Sequence, residues 1–205
     1  MSFLELNINL FRMINDLGKQ YTYLNPAMIF IAEYMVFFLA FGVIVIWFTQ
    51  NKKSRMMVFC ATITFVFAEI IGKIAGKFHS NNQPFAELTN VNKLIEKAVD
   101  NSFPSDHTIL FFSFCVSFWI FKRGWWFLWI IPAFLVGFSR IWVGGVHYPA
   151  DILAGAIISI ISGSIVYLIV PKLRLTLKLL GVYEKCEQLV ISPLTKSKGK
   201  KSKDF

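Results

Sequence analysis

The sequence predicts an all-α membrane protein: a bundle of about five transmembrane helices with an amphipathic surface helix ahead of them. Three observations predict it. Apolar residues make up 56% of the 205 residues and the mean hydropathy is +0.57, whereas soluble domains hold roughly 45–50% apolar residues. The excess is gathered into runs of about 20 residues, the length a helix needs to cross a bilayer. The 22 Phe and 6 Trp suit membrane interiors and interfaces.

Residues 3–19 set Phe3, Leu4, Leu6, Ile8, Leu10, Phe11, Ile14 and Leu17 among Glu5, Arg12, Asp16 and Lys19. That is too polar to span and too apolar to float free, so it reads as a helix lying on the membrane surface. Five spans follow, over 27–49, 55–77, 104–121, 124–142 and 150–170. Gly155, Ala156, Gly163 and Ser164 in the last are small enough for close helix packing. Between the second and third spans lies the one long loop, 78–103, with a short helix expected over 91–100.

Orientation follows from charge. The turn Asn51–Arg55 carries three cations and Lys122–Arg123 two, and residues 172–205 hold nine Lys or Arg against three Asp or Glu. Five spans put these segments on one side, which the positive-inside rule makes the cytoplasm. The N-terminus, the 78–103 loop and the turn at 143–148 then face outward. By length the chain is one domain, residues 1–180, with 181–205 as a basic cytoplasmic tail. Lys196–Lys203 reads as disordered and drawn to an anionic inner leaflet. The net charge of +9 sits in short turns and the tail, which argues against a nucleic-acid partner. Cys60, Cys115 and Cys186 have neither metal-site nor disulfide spacing. Residues 1–24 lack a basic start and a continuous apolar core, so no cleavable signal peptide is expected.

Chemistry concentrates in two polar clusters, each opening an apolar run. In Ser139-Arg140 to His147-Tyr148-Pro149-Ala150-Asp151, Pro149 fits a first helical turn. His147 then precedes the helix and Asp151 lies in its first turn, near enough to hold the imidazole. An unprotonated imidazole beside a guanidinium is a phosphate site with a nucleophile in it. The plainer reading is a polar loop in which Asp151 caps its own helix. In Ser102-Phe103-Pro104-Ser105-Asp106-His107, Pro104 again fits a first turn and Ser102 a cap. Both helix N-termini face one side and offer amides to an anion. Two histidines can divide the work of phosphoester or anhydride hydrolysis, one attacking and one protonating the leaving oxygen. His107 also fits as an interfacial histidine. Lys73 and Lys77 share a helix face with Glu69, as a third cluster or as lysines snorkelling at the membrane edge. Glu33 and Glu69 lie within apolar runs, which marks them as functional candidates.

These motifs resemble the type-2 phosphatidic acid phosphatase superfamily. That family has lysine, six residues and arginine-proline; then proline-serine-glycine-histidine; then serine-arginine, five residues, histidine, three residues and aspartate. Glu33-Tyr34-Met35, His79–Phe85 and Asn101–Thr108 resemble its bacitracin-resistance undecaprenyl-diphosphatase branch. The resemblance implies His147 as the nucleophile, Asp151 as its orienting carboxylate and His107 as the acid. It implies a substrate site of Arg140, Ser139, Ser105, Pro104, Asp106, Gln83 and Lys77. No metal and no cofactor are implied.

Three positions depart from the pattern. Asp106 replaces the glycine, Gln83 stands where the first motif has arginine, and six residues rather than five separate Arg140 from His147. The expected reaction is hydrolysis of a polyprenyl diphosphate, undecaprenyl diphosphate, at the outer leaflet of the bilayer. The alternatives are a phosphatidylglycerophosphate or phosphatidic acid phosphatase and, in another class, a non-catalytic subunit of a peptide exporter.

Overall fold

The computed structural model describes residues 2–48 and 51–200, with side chains described through Leu189. Its elements are helical, and no strand occurs among the described residues. Two compact units divide the chain at Tyr167/Leu168.

Helix α1, Phe3–Gln20, opens with a capping box: Glu5 N–H donates to Ser2 Oγ at 3.2 Å, and Ser2 N–H to Glu5 Oε2 at 2.8 Å. It is amphipathic as expected. Phe3, Leu4 and Met13 face outward, while Phe11, Asn15 and Gly18 are buried. Helix α2, Asn25–Phe48, buries only Ala32, Leu39 and Ile46, a seven-residue repeat marking one inward stripe. The other faces are apolar too, as lipid contact requires. Thr49, the last residue of the expected first span, lies outside the described residues. Helix α3, Lys52–Phe78, starts where Asn51 Oδ1 accepts the amides of Lys53 at 2.9 Å and Ser54 at 3.4 Å.

The long loop differs from expectation. Its helix is α4, Pro84–Glu87, and residues 91–100 are irregular. Tertiary partners take that segment's backbone groups: Leu94 N–H donates to Val143 O at 2.6 Å and Asp100 N–H to Gln83 Oε1 at 2.7 Å. A helix would have used those donors internally.

Helix α5, Asp106–Lys122, is 17 residues long and buries eleven of them, so it is the centre of the first unit. It begins later than expected. Ser105, not Ser102, caps it, with Oγ accepting Thr108 N–H at 3.4 Å, and Pro104 precedes the helix rather than sitting in its first turn. The next span is also not one continuous helix. A 3-10 stretch over Gly124–Trp129 leads into α6, Ile130–Trp142. Pro132 has no N–H to bond back to residue 128, so regular α-helix starts only just before it. Helix α7, Pro149–Ile169, follows, then α8, Arg174–Lys200, in the second unit. The tail expected to be disordered is helical as far as Lys200, and residues 201–205 lie outside the described range.

Four helical segments among the described residues are long and apolar enough to cross a membrane: Thr22–Phe48, Lys52–Phe78, Gly124–Trp142 and Pro149–Lys172. The fifth expected span is α5, shorter and enclosed by the others. Small residues let the others approach it. A Cβ on Gly155 would lie 3.1 Å from Ser105 O, and one on Gly76 would lie 2.8 Å from Phe103 O. Ala156 and Gly163 are buried as well, whereas Ser164 is exposed and bonds back to Ile160 O. Inside, Ser113 Oγ donates to Ser159 Oγ at 3.3 Å and Ser159 Oγ to Ile109 O at 3.1 Å. Such bonds pin helix register where burial alone does not. At one end Lys122 Nζ donates to Ser54 Oγ at 2.9 Å, joining the two basic turns. The polar loops gather at the opposite end.

Candidate active site

The turn from α6 to α7 carries His147, and its geometry decides the protonation of the ring. His147 is 4% exposed, and its Nδ1 lies 2.8 Å from Ser102 O. A carbonyl only accepts, so Nδ1 carries the hydrogen and the neutral ring keeps its lone pair on Nε2. Burial holds the imidazole well below the usual histidine range. The charges of Arg140 and Lys97 push the same way, and the Ser102 bond opposes them. The result is an unprotonated nitrogen at neutral pH, the form a nucleophile needs.

Asp151 Oδ2 lies 3.9 Å from His147 Nδ1 and 2.8 Å from Tyr148 N. It therefore caps α7 and faces the imidazole together, so the two readings of this aspartate describe one position. Direct orientation of the ring comes from Ser102, a backbone group. Asn81 Nδ2 donates to Ser102 Oγ at 2.8 Å, and both side chains also reach the Asp151 carboxylate.

The two helix N-termini are unequal. At α7, Ala150 N–H donates to Asn7 Oδ1 at 3.0 Å, and Asp151 N–H to Tyr148 O at 3.0 Å. Those donors are taken, so the expectation of two open ends fails here. At α5, Ser105 N–H is held by Asp151 O at 3.3 Å and Thr108 N–H by Ser105 Oγ. Asp106 N–H and His107 N–H have no protein acceptor among the described residues. The α5 end alone offers free amides and the positive pole of a helix dipole to an anion. His107 stands in that first turn, half-buried, and its charge state bears on His147.

Arg140 is 4% exposed and donates from Nη1 to Ala32 O at 3.3 Å, while its Nε is buried without a partner. A buried guanidinium with an idle donor is stabilised by an arriving anion. The Glu33 carboxylate, one residue beyond Ala32, is the first counter-charge acting on it. The longer turn is taken up at its glycines. Gly145 has φ +52° and Val146 N–H returns to Arg140 O at 3.4 Å, so Arg140 still acts on both histidines. The positive φ is the conformation that glycine adopts without strain.

Residues 76–175 match the family model described as PAP2 superfamily. The chain is 56% identical, over the whole of both chains, to the bacitracin transport permease protein BcrC of Bacillus licheniformis. It is 36% identical to the undecaprenyl-diphosphatase BcrC of Bacillus subtilis, over 93% of this chain and 96% of that one. The chain belongs to the PAP2 superfamily. Among solved structures it is similar to LpxE of Aquifex aeolicus, with TM-score 0.58 and 26% identity over 79% of this chain and 94% of that one. With its apolar helices, this PAP2 chain is a multi-pass membrane protein.

Some expected PAP2 site residues have their polar groups engaged elsewhere. Ser139 is fully buried and its Oγ donates to Val136 O at 2.7 Å, within its own helix. Gln83 is fully buried too, with Nε2 donating to Ala98 O at 3.4 Å and Oε1 accepting from Asp100 N–H. Both its polar ends face the loop rather than the site. Ser105 Oγ also accepts from Thr108 Oγ1 at 3.0 Å, so its hydroxyl serves the helix cap. Lys77, Lys73, Pro104 and Asp106 line a cavity of about 220 Å³ with Asp100 and Asn101, beside α5's first turn. Lys73 pairs there with Glu69 at 3.9 Å.

Sequence reasoning passed over Ser102 O, Asn7 and Lys97. A carbonyl has no letter of its own, and Asn7 reads as one polar residue of a surface helix. Lys97 was hidden by the helix expected over 91–100.

Proposed function

We propose that this chain is an undecaprenyl-diphosphate phosphatase working at the outer leaflet through a phosphohistidine. The observation that supports it most is the His147 Nδ1–Ser102 O bond of 2.8 Å, which leaves Nε2 free to attack. Nε2 would form a bond to the terminal phosphorus while the bond to the bridging oxygen breaks. His107 would give its proton to the departing lipid monophosphate. Water would then attack the phosphohistidine, losing its proton to His107 and releasing phosphate. Asp151 would stabilise the charged imidazole, while Arg140 and the α5 amides hold the equatorial oxygens. No step calls on a metal or cofactor.

The three basic segments support an outward-facing site, and the exposed apolar faces support lateral entry of a lipid tail. We assign the chemistry to residues 1–180 and treat 181–205 as a cytoplasmic tail. Phosphatidylglycerophosphate and phosphatidic acid present the same phosphoryl chemistry. The permease name carried by the Bacillus licheniformis relative matches the non-catalytic alternative, on which His147 would be dispensable.

The test is phosphate release by purified protein from undecaprenyl diphosphate and the two phospholipid substrates, with and without EDTA. Undecaprenyl diphosphate should be turned over fastest, and EDTA should not stop it. Overexpression should raise bacitracin tolerance, and His147→Ala protein made at equal level should not. Equal tolerance from both proteins would favour the transport reading.

A further inference from the structure

Transfer of a phosphoryl group gathers several negative oxygens between a nucleophile and an acid, and one guanidinium does not balance them. Arg140 is already drawn upon by Ala32 O and by the charge of Glu33. A second cation at the histidines would complete the balance.

The structure offers few candidates. Lys73 pairs with Glu69, and Lys77 lines the cavity beside Asp100 and Asp106. Neither is among the charges that act on the two histidines. Lys93 pairs with Glu96 at 3.0 Å and lies over the Phe85 ring at 4.5 Å. Lys97 differs from all three. Its charge acts on His107, His147 and Arg140 together, and also meets Asp106 and Asp100. Among the described residues it makes no ion pair or hydrogen bond. Its residue surface is exposed, yet its ammonium is held below the usual lysine range, first by partial burial and then by Arg140.

The backbone on either side is fixed. Leu94 N–H is bonded to Val143 O at 2.6 Å and Ile95 is buried against Val143 and Val146. After Lys97, Gln83 grips Ala98 O at 3.4 Å and Asp100 N–H at 2.7 Å. Ser102 N–H then donates to Asn81 O at 2.8 Å, and Ser102 O holds His147. A long, flexible side chain is thus presented from a rigid base, which lowers the cost of ordering it on a ligand.

We propose that Lys97 is the second cation of the phosphate clamp, facing Arg140 across the transferring phosphoryl group, and that the buried Gln83 positions it. Gln83 supplies no charge of its own, but its two bonds set the segment that does. Without an anion between them, Lys97 and Arg140 repel each other. A phosphate turns that repulsion into two attractions. This rests on the phosphatase reading above.

The test uses purified full-length protein in detergent with undecaprenyl diphosphate, and vanadate as a phosphate-shaped inhibitor. Lys97→Met, Lys97→Gln, Lys97→Arg and Lys93→Met are compared, with His147→Ala as reference. Removing a charge-assisted contact should lower kcat/KM about 10- to 100-fold in Lys97→Met and Lys97→Gln, and weaken vanadate by a similar factor. Lys97→Arg should stay within about threefold of the parent, and Lys93→Met should match it. Lys97→Gln reports on charge if the methionine variant proves unstable. Neutral variants as active as Lys93→Met would overturn the proposal, as would Lys97→Arg falling as far as Lys97→Met. With His147→Ala inactive, such results sink only the lysine assignment. An active His147→Ala sinks the phosphohistidine mechanism, and a parent protein that releases no phosphate sinks the phosphatase reading itself.

Discussion

Replacing Asp151 by asparagine separates the two things its carboxylate does. Asparagine keeps the shape, and its carbonyl can still accept the Tyr148 N–H now held at 2.8 Å. The fold and the α7 cap should therefore survive. The ring's tautomer should survive too, because Ser102 O and not Asp151 holds Nδ1 at 2.8 Å. What disappears is a negative charge 3.9 Å from Nδ1, with the two side chains 2% and 5% exposed. At an effective dielectric of about 20, unit charges at that distance attract by about 4 kcal/mol. That attraction exists only once the imidazole becomes positive, as it does on taking a phosphoryl group. The loss should fall on kcat, by about a thousandfold. Single-turnover phosphate release, beside a thermal melt of the same preparation, would measure it. A variant with an unchanged melt and kcat within about tenfold of the parent would refute the electrostatic argument. Asp151 would then be chiefly a helix cap.

Three further outcomes follow from the geometry. His147 titrates well below its usual range because it is buried, so the unfolded chain binds its proton more readily. Its contribution to stability is complete above about pH 6.5 and declines by up to about 1.4 kcal/mol per pH unit below that. A pH series of melts checks this, and an activity profile whose acid limb is centred on 6.5 would contradict a neutral, buried nucleophile. Gly145→Ala must hold φ +52° and would drive Cβ against Val91 and Phe11, at a cost of about 3 kcal/mol. Deleting Gly144 should be worse still, because Gly145 O accepts Phe85 N–H at 3.1 Å, and phosphate release from either variant measures the damage. In whole cells, cysteine placed at Glu96, whose side chain is 96% exposed, should react with an impermeant thiol reagent. Cysteine at Lys53 and the native Cys186 should not, and the reverse pattern would move the site to the cytoplasm.

Hydropathy made most of the fold legible, because a lipid-facing helix must be apolar along its length. It was less informative where the bundle touches itself. Helix α5 is apolar all round, and its start was misjudged because Ser102 and Ser105 are equally good caps by type. The segment 91–100 has helix-forming residues, but Leu94 and Asp100 spend their amides on Val143 and Gln83. Only the tertiary fold reveals those partners. In the site, the spacing of Pro149 and Asp151 sufficed to put the carboxylate beside His147. The chemistry-bearing letters Arg140, His107 and His147 were visible, and the structure brings them together. Gln83 and Ser139 carry suitable groups turned the wrong way, which a sequence does not encode locally. The open amides of Asp106 and His107, and the Ser102 carbonyl, belong to the main chain and have no letter to read.

The junction between α1 and the His147 turn ties a surface helix to the site. Asn7 caps Ala150, Phe11 packs edge-on to Tyr148 with centroids 5.7 Å apart, and Asn15 Nδ2 donates to Ile141 O at 2.9 Å and Trp142 O at 3.1 Å. Helix α1 thus completes a turn made more than 120 residues later in the chain. Helix α1 is also held on the loop before α5, where Arg12 donates to Thr89 O at 2.7 Å and Asn15 Oδ1 accepts Asn92 N–H at 2.8 Å. One helix therefore joins the loop before α5 to the turn before α7. The turn that carries His147 is therefore braced from outside its own helices, by side chains that contribute nothing to the chemistry and everything to where the ring stands.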